Sequence, residues 1–105
     1  MSTRLPGAKY KFVFDSGRVL KGRLMSAWVL RHTDAGRQAG VVVSKKSFHD
    51  AVDRNRAKRI IREAFRLMVD SVPADSDWVF VGRSSLRNRR TADVAAELRW
   101  MCGRL

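Results

Sequence analysis

One segment of the chain, residues 47–69, separates apolar from basic side chains as an amphipathic helix does. Projected at about 100° per residue from Val52, an arc of about 80–180° is apolar and holds Ala57, Ile60, Ile61, Ala64 and Met68. The opposite arc, at about 240–340°, contains no acid and holds Asn55, Lys58, Arg59, Arg62 and Arg66. Because the apolar arc needs a second layer to cover it, the segment predicts a helix that packs on a sheet and turns its cations outward.

Three other stretches have the composition of strands. Residues 19–31 are rich in Val, Leu, Met and Trp, and residues 41–43 repeat this character after a loop predicted over residues 32–40. Residues 78–81 form a short apolar run, which predicts a strand that is buried on both faces. The chain therefore predicts strands both before and after the basic helix.

Two further helices flank these strands. Apolar and aromatic residues at spacings of three and four predict a short helix over residues 9–15, which Gly17 follows. Thr91 predicts the N-cap of a last helix. The apolar stripe of that helix is formed by Val94, Leu98, Met101 and Leu105. We expect one α+β domain over residues 1–105, a two-layer α/β sandwich in which the helices cover one face of a mixed sheet of about four strands, in the order α-β-β-β-α-β-α.

Composition gives this fold a strong positive charge. The 105 residues include 22 Lys+Arg and 10 Asp+Glu, a net charge of +12, yet 45% of them are hydrophobic, which supports a folded core. A helix face that is merely solvated interleaves acids with bases, whereas like charges at i,i+4 repel each other. The acid-free arc therefore favours an anionic ligand over a solvated face. Nucleic acid is the leading candidate, ahead of an anionic membrane, and the arginines suit structured RNA.

Several other functions are disfavoured by the sequence. Cys102 is the single cysteine, so we expect a packed thiol, no disulfide-linked partner and a cytoplasmic location. No apolar run has the length of a signal peptide or of a membrane-spanning helix, which argues against secretion and insertion. His32 and His49 have no third ligand or neighbouring nucleophile, so we expect no metal site. No set of catalytic side chains is recognisable either.

A longer pattern connects a strand end with the basic helix. Val43-Ser44-Lys45-Lys46 is followed, after a short spacer, by Ala51-Val52-Asp53-Arg54-Asn55-Arg56-Ala57-Lys58-Arg59-Ile60-Ile61-Arg62-Glu63-Ala64-Phe65. This arrangement closely resembles the bacterial ribonuclease P protein family, in which the sequence RNRxKRxxRE follows a VSKK strand end. Tyr10, Val13 and Phe14 resemble the aromatic-rich first helix of that family, and residues 77–83 resemble its acid–apolar–small–Arg strand.

The resemblance implies a protein subunit that binds a catalytic RNA and the 5′ leader of precursor tRNA and promotes endonucleolytic removal of the leader. Catalysis would lie in the RNA, with Mg²⁺ held mainly by RNA phosphates. The contacts to the catalytic RNA would fall on Lys45, Lys46, Arg54, Asn55, Arg56, Lys58, Arg59 and Arg62. The leader would bind in a cleft between the first helix and the sheet, lined by Tyr10, Phe14 and Trp28. The family fold also includes a left-handed β-α-β crossover, although the right-handed connection is far commoner.

Simpler roles are open for several of these residues. The three cleft aromatics are equally compatible with core packing, and the two lysines with a charged strand end that has no partner. A second acid-free cluster over residues 83–90 is either a flexible phosphate-binding arm or a solvated loop. For the whole chain, the alternative is a non-enzymatic protein that binds structured RNA or DNA, such as a ribosomal or chromatin protein. A membrane-surface role is disfavoured because the sheet already needs the apolar face of the basic helix.

Overall fold

The computed structural model describes residues 3–105, which form three α-helices and four β-strands. The helices are α1 (Tyr10–Ser16), α2 (Ala51–Leu67) and α3 (Thr91–Cys102). The strands are β1 (Arg18–Lys21), β2 (Met25–Arg31), β3 (Gln38–Val42) and β4 (Ser76–Gly82). Short 3₁₀ turns occupy Gly7–Lys9, Val69–Ser71 and Ser84–Leu86. None of the helices in residues 3–105 is long and apolar enough to cross a membrane.

The strands form one mixed sheet in the spatial order β1-β2-β4-β3. β2 is antiparallel to both β1 and β4, whereas β3 is parallel to β4 and is connected to it through α2. The α+β class, the three helices and the mixed four-stranded sheet are therefore confirmed. The left-handed sense of the β3-α2-β4 crossover stays a prediction.

The main core lies between the sheet and the two longer helices. All five residues of the predicted apolar arc are at most 8% exposed. On the sheet, Trp78 stacks on Phe80 with 5.4 Å between the ring centroids, and Phe65 of α2 contacts both rings edge-on. The core also contains three residues of the predicted α3 stripe, Val94, Leu98 and Met101. This packing fixes the rotation of α2 about its axis and leaves the cationic arc on the outside.

The first helix, α1, lies on the opposite face of the sheet from α2 and α3. Val13 is 0% exposed and packs there with Leu5 and Val79 in a second, smaller core. We expected the helices on one face, and α1 departs from that expectation because β4 is apolar on both sides. Trp78 and Phe80 point into the main core, whereas Val79 between them points towards α1. The predicted burial of β4 on both faces is confirmed, and such a strand needs cover on each side.

The apolar stretch over residues 19–31 contains two antiparallel strands, β1 and β2, joined by a turn at Gly22, in agreement with the predicted order of three strands before the basic helix. An added Cβ at Gly22 would lie 2.6 Å from the carbonyl oxygen of Met25, a backbone atom that cannot move aside as the Glu97 side chain can, so this turn favours glycine. Strand and helix boundaries differ from the sequence predictions at two places. β3 begins at Gln38, inside the predicted loop, because parallel pairing with β4 extends the strand. The basic helix begins at Ala51, four residues later than predicted.

The last helix also starts and ends differently from the prediction. Its N-cap is Arg90, one residue before the predicted Thr91, and the Arg90 N–H donates to Asp93 Oδ2 at 2.9 Å. Leu105 lies beyond the end of α3 and is half-buried. Cys102 packs against the edge of the main core, as expected, and burial raises the pKa of its thiol.

Candidate nucleic-acid interface

The outward side of α2 lines a groove of about 560 Å³. Four of the residues predicted to contact RNA lie in it, namely Asn55, Lys58, Arg59 and Arg62. Within residues 3–105, no carboxylate pairs with the last three of these side chains. No carboxylate of the described chain therefore neutralises their charge. Binding of a phosphate backbone requires cations whose charge is still available.

The first described residues of the chain form another part of this groove. We did not predict this contribution from the sequence. The Leu5 N–H donates to the Ala39 carbonyl at 3.0 Å, and the Ala39 N–H donates to the Thr3 carbonyl at 2.8 Å. The segment therefore runs parallel to β3 at the edge of the sheet, and Leu5, 4% exposed, anchors it. This pairing brings Arg4 into the groove beside α2. The only sequence signal for it is an isolated apolar residue in a polar terminus.

One ion pair lies inside the groove. Glu63 Oε1 accepts a hydrogen bond from Arg66 Nη2 at 2.6 Å, and its Oε2 accepts a longer one from Nε at 3.2 Å. These bonds lower the pKa of Glu63 and raise the pKa of Arg66. The helical projection placed Glu63 outside the cationic arc, but the groove extends beyond that arc. Arg66 is therefore a paired cation, in contrast to its neighbours one and two turns earlier.

Two further predicted residues, Arg54 and Arg56, have backbone partners. Arg54 Nη1 donates to the carbonyls of Phe48 and His49 at 2.9 and 2.8 Å, which fixes the connection between β3 and α2. Arg56 Nη2 donates to the Arg89 carbonyl at 2.7 Å, which ties α2 to the segment before α3. Each guanidinium uses one nitrogen in this way and keeps other N–H groups that are not in these bonds. Both side chains therefore position neighbouring loops through these bonds.

The predicted lysines lie in a short ordered turn after β3. Lys45 and Lys46 are exposed, and within residues 3–105 neither has a polar partner. Ser44 Oγ accepts a hydrogen bond from the Ser47 N–H at 3.1 Å, and the following Phe48 is 1% exposed. The turn is therefore anchored on both sides, and it presents the two lysines beside the N-terminal end of α2.

The three predicted aromatics come together on the other face of the sheet. The rings of Phe14 and Trp28 meet edge-to-face, with 5.0 Å between centroids. Tyr10 Oη accepts a hydrogen bond from the Val41 N–H at 3.2 Å, and its ring lies against Gly40, where a Cβ would come within 2.3 Å of a ring carbon. All three side chains pack against the second core and are only half-buried. At the junction of α1 and the sheet, where the resemblance places the leader cleft, they combine core packing with exposed ring surface.

The buried carboxylate of Asp77 organises the connection between β2 and β3. Asp77 is 1% exposed, its Oδ1 accepts the Gly36 N–H at 3.1 Å, and its Oδ2 lies 3.1 Å from His32 Nε2. The edge of the Phe12 ring covers His32, with 5.7 Å between centroids. His32 therefore holds a loop in place. No group of three His, Cys, Asp or Glu residues in the described part of the chain has the arrangement of a metal site.

The cluster over residues 83–90 is anchored to its neighbours. Arg83 Nη1 donates to the Gly22 carbonyl at 3.0 Å, and Arg87 Nη2 donates to the Ser47 carbonyl at 3.2 Å. Leu86 between them is 1% exposed. The segment is therefore an exposed loop that these contacts anchor, and its role in phosphate binding stays a prediction. Its arginines brace the β1–β2 turn and the turn that carries the lysines.

Together, these features define a small basic α+β protein with a cationic groove on one side of its sheet and a cluster of half-buried aromatic side chains on the other. The family model described as Ribonuclease P matches residues 5–105 of the chain. A ribonuclease P protein component from Desulfotalea psychrophila is 34% identical over 97 residues, which cover 92% of this chain and 80% of the relative. One from Clostridium botulinum (strain Langeland) is 32% identical over 91 residues, covering 86% and 81%.

Solved structures agree with the sequence relatives. The RNase P protein from Thermotoga maritima superposes with a TM-score of 0.83 at 24% identity, covering 97% of this chain and 96% of that one. The RNase P protein from Staphylococcus aureus superposes with a TM-score of 0.78, also at 24% identity. The chain belongs to the ribonuclease P protein family. The resemblance inferred from its VSKK and RNR segments is thereby confirmed.

Proposed function

We propose that this chain is the protein subunit of ribonuclease P. It binds a catalytic RNA and the 5′ leader of precursor tRNA, and it promotes the endonucleolytic cut that leaves the mature tRNA 5′ end. Family membership supports this proposal, and the structural observation that carries it is the groove along α2, in which no described carboxylate pairs with Lys58, Arg59 or Arg62. The alternative, a ribosomal or chromatin-like protein, is less well supported because the relatives are ribonuclease P protein components.

The groove along α2 and the lysine turn form the surface for the catalytic RNA. Guanidinium groups bind phosphate through two parallel hydrogen bonds, and they stack on exposed bases of folded RNA. Arg59 and Arg62 supply such groups without an internal partner among residues 3–105, and Asn55 adds an amide beside them. Arg54 and Arg56 contribute by holding the adjoining loops in position, and each retains N–H groups for the RNA.

The cleft beside α1 holds the leader of the precursor. Stacking on an aromatic ring tolerates every base and contributes about 1–3 kcal/mol per base. This suits a leader whose sequence varies among precursors. The ring pair of Phe14 and Trp28 is fixed by its own edge-to-face contact, and Tyr10 is fixed by its hydrogen bond to the β3 backbone. A cleft ordered before binding loses little entropy when a strand enters it.

The hydrolysis itself belongs to the RNA, with Mg²⁺ held mainly by RNA phosphates. The groove does not fit Mg²⁺, because that ion prefers carboxylate and water oxygens, whereas the groove offers cations, an amide and one carboxylate already bonded to Arg66. The chain's contribution is to neutralise phosphates and to add affinity for the leader, which lowers the Mg²⁺ concentration that the RNA needs. We place the complex in the cytoplasm, where a free thiol such as Cys102 stays reduced.

The decisive experiment mixes the purified chain with a bacterial ribonuclease P RNA and a precursor tRNA at low Mg²⁺. We expect 5′ cleavage to be faster than with the RNA alone. A basic ribosomal protein of similar size and charge serves as the control for unspecific phosphate neutralisation. Cleavage no faster than with this control would rule out the proposed function and leave the structured-RNA-binding alternative.

A further inference from the structure

A second groove, of about 540 Å³, lies between α3 and the turn that joins β1 to β2. It shares no lining residue with the groove along α2, and it is separate from the aromatic cleft. Lys21 and Arg23 line it from the turn, Arg89 lies before α3, and Trp100 comes from the third turn of α3. None of the roles proposed above uses this groove.

Trp100 is the side chain that sets this groove apart. It is 46% exposed and lies on the side of α3 that faces away from Val94, Leu98 and Met101 in the main core. The guanidinium of Arg104 lies over its ring, 4.7 Å from the centroid. A half-exposed indole does not contribute its full apolar surface to folding. The guanidinium lies over one face of the ring, so the other face suits a second flat group.

The walls of the groove are tied together by hydrogen bonds. The Glu97 carboxylate of α3 accepts the Leu24 N–H at 2.9 Å and the Met25 N–H at 3.1 Å. From the other side, Ser85 Oγ donates to the Arg23 carbonyl at 2.6 Å. The β1–β2 turn is therefore held at a fixed distance from α3, and a ligand meets a preformed groove.

The rim of the groove is cationic. Lys21, Arg23 and Arg89 are exposed, and within residues 3–105 none of them pairs with a carboxylate. The two acids in the groove are already bonded, Glu97 to the turn and Asp93 to the Arg90 N–H. These N–H donors are neutral and leave both carboxylates charged, so the lining holds three cations and two anions and keeps an excess of one positive charge, which favours phosphate over a cationic partner.

The groove also adjoins the N-terminal half of α2. Arg56 Nη2 of α2 donates to the carbonyl of Arg89, whose own side chain lines the second groove. A phosphate backbone that crosses the N-terminal end of α2 can therefore continue to Arg89 without leaving positive charge. This proximity favours RNA over an acidic protein as the occupant.

We propose that this groove binds an unpaired nucleotide of RNA, with its base stacked on Trp100 and its flanking phosphates at Lys21, Arg23 and Arg89. The proposal rests on the proposed function, since it assigns a further RNA contact to the same ribonucleoprotein. A stacked base gives affinity without sequence preference, and the arginines add bidentate phosphate contacts. The nucleotide belongs either to the catalytic RNA or to the precursor tRNA, and the experiment separates the two sources.

The test measures equilibrium affinity of the whole chain for a bacterial ribonuclease P RNA and, separately, for a precursor tRNA. Trp100→Ala should lose about 5- to 150-fold in affinity for the RNA that supplies the nucleotide, the range expected for one stacked base. Trp100→Phe keeps an aromatic ring and should stay within about 3-fold of the wild type. Leu67→Ala, which removes another exposed apolar side chain, is the matched control and should leave both affinities unchanged.

A charge test accompanies the stacking test. Arg23→Ala and Arg89→Ala should each lower the log–log salt slope of binding by about 0.7–0.9, whereas Arg18→Ala, an exposed cation outside the groove, should not. Thermal unfolding confirms that each variant is folded.

Three results would overturn the proposal. The first is wild-type affinity of Trp100→Ala for both RNAs, observed while the wild type stimulates cleavage. The proposed function would then stand, but the groove would not bind RNA. The second is an equal loss for Trp100→Ala and Trp100→Phe. The third is a loss of self-association without a change in RNA affinity, which would assign the groove to a second copy of the chain. A wild type that binds neither RNA would reject the proposed function together with this inference.

Discussion

The groove along α2 and the cleft beside α1 lie on opposite sides of the same sheet and offer different chemistry. The groove presents cations that no described carboxylate neutralises, such as Arg59 and Arg62, whereas the cleft presents ring surface from Phe14 and Trp28. Binding through phosphates depends steeply on salt because it releases counterions, and binding through stacking does not. The two surfaces can therefore be assigned to different RNAs by their salt dependence. Loss of a residue from one surface should leave binding at the other intact.

The largest effect is expected from the groove. Arg59→Ala combined with Arg62→Ala should weaken binding to the catalytic RNA on the order of 100-fold, because two charge-assisted contacts are lost. The log–log salt slope should fall by about 1.4–1.8, since each phosphate contact contributes about 0.7–0.9. Titration of labelled RNA at several salt concentrations measures both quantities.

The control for this double variant removes the same charge elsewhere. Arg18→Ala combined with Arg99→Ala changes two exposed cations that line neither surface. Its salt slope should stay near that of the wild type. Equal losses in the two double variants would mean that net charge, rather than the groove, determines the affinity.

A substitution in the cleft should cause a smaller loss of affinity, and the loss should concern the precursor rather than the catalytic RNA. Phe14→Ala should weaken binding of leader-containing precursor by about 10-fold and leave mature tRNA unaffected, because it removes one stacking surface. Its salt slope should equal that of the wild type. Phe12→Ala is the matched control, since Phe12 lies on the same helix, is 52% exposed and contacts His32 outside the cleft.

A second variant separates the loss of base stacking from a packing defect in Phe14→Ala. Phe14→Leu preserves most of the apolar volume beside Trp28 but has no ring to stack on a base. Both Phe14 variants should therefore lose leader preference while their thermal unfolding differs. Recovery of leader binding in Phe14→Leu, or an equal loss with mature tRNA in both variants, would assign the cleft to core packing alone.

The groove was largely predictable from sequence because its helix is determined locally. Periodicity alone separates the two faces of α2, and all five residues of the predicted apolar arc are buried. The family followed from the same segment, because the strand end and the helix lie close together in the chain. The predictions in this part of the molecule needed no knowledge of distant contacts.

The remaining features depend on pairing between distant residues. Tyr10 meets Gly40 and Val41 only because α1 crosses the face of the sheet opposite α2, and periodicity does not specify the face. Arg4 reaches the groove only through backbone pairing with Ala39. Arg56 looks like any other cation in a helical projection, and its bond to a carbonyl 33 residues away follows from the tertiary fold.

A third prediction concerns Arg54, which the resemblance assigns to the contacts with the catalytic RNA and whose guanidinium bonds two backbone carbonyls. Arg54→Lys keeps the positive charge and loses the planar group that holds the carbonyls of Phe48 and His49. The free energy of unfolding should fall by about 1 kcal/mol. Affinity for the catalytic RNA should fall about 3-fold, since the turn that carries the lysines is no longer braced.

The same change at Arg59, a groove cation that makes no bond to the described chain, serves as the comparison. Arg59→Lys retains the charge in the groove and breaks no internal bond, so stability should be unchanged and affinity should fall less than 3-fold. Chemical denaturation and RNA titration of both variants check the prediction. Wild-type stability in Arg54→Lys would show that its two carbonyl contacts do not hold the turn.

The smallest effect is expected at the one acid in the groove. Glu63→Gln removes a negative charge from among the cations, so affinity for the catalytic RNA should rise about 2-fold. The bond to Arg66 lowers the pKa of Glu63, so the pair stabilises the folded chain above the ordinary pKa of glutamate and loses this contribution as the pH falls through the lowered value. Because both side chains are exposed, the difference in Tm between wild type and variant should be small at pH 7 and vanish in acid. A fall in affinity would show instead that Glu63 holds Arg66 in its binding orientation, which would make this carboxylate part of the RNA-binding surface.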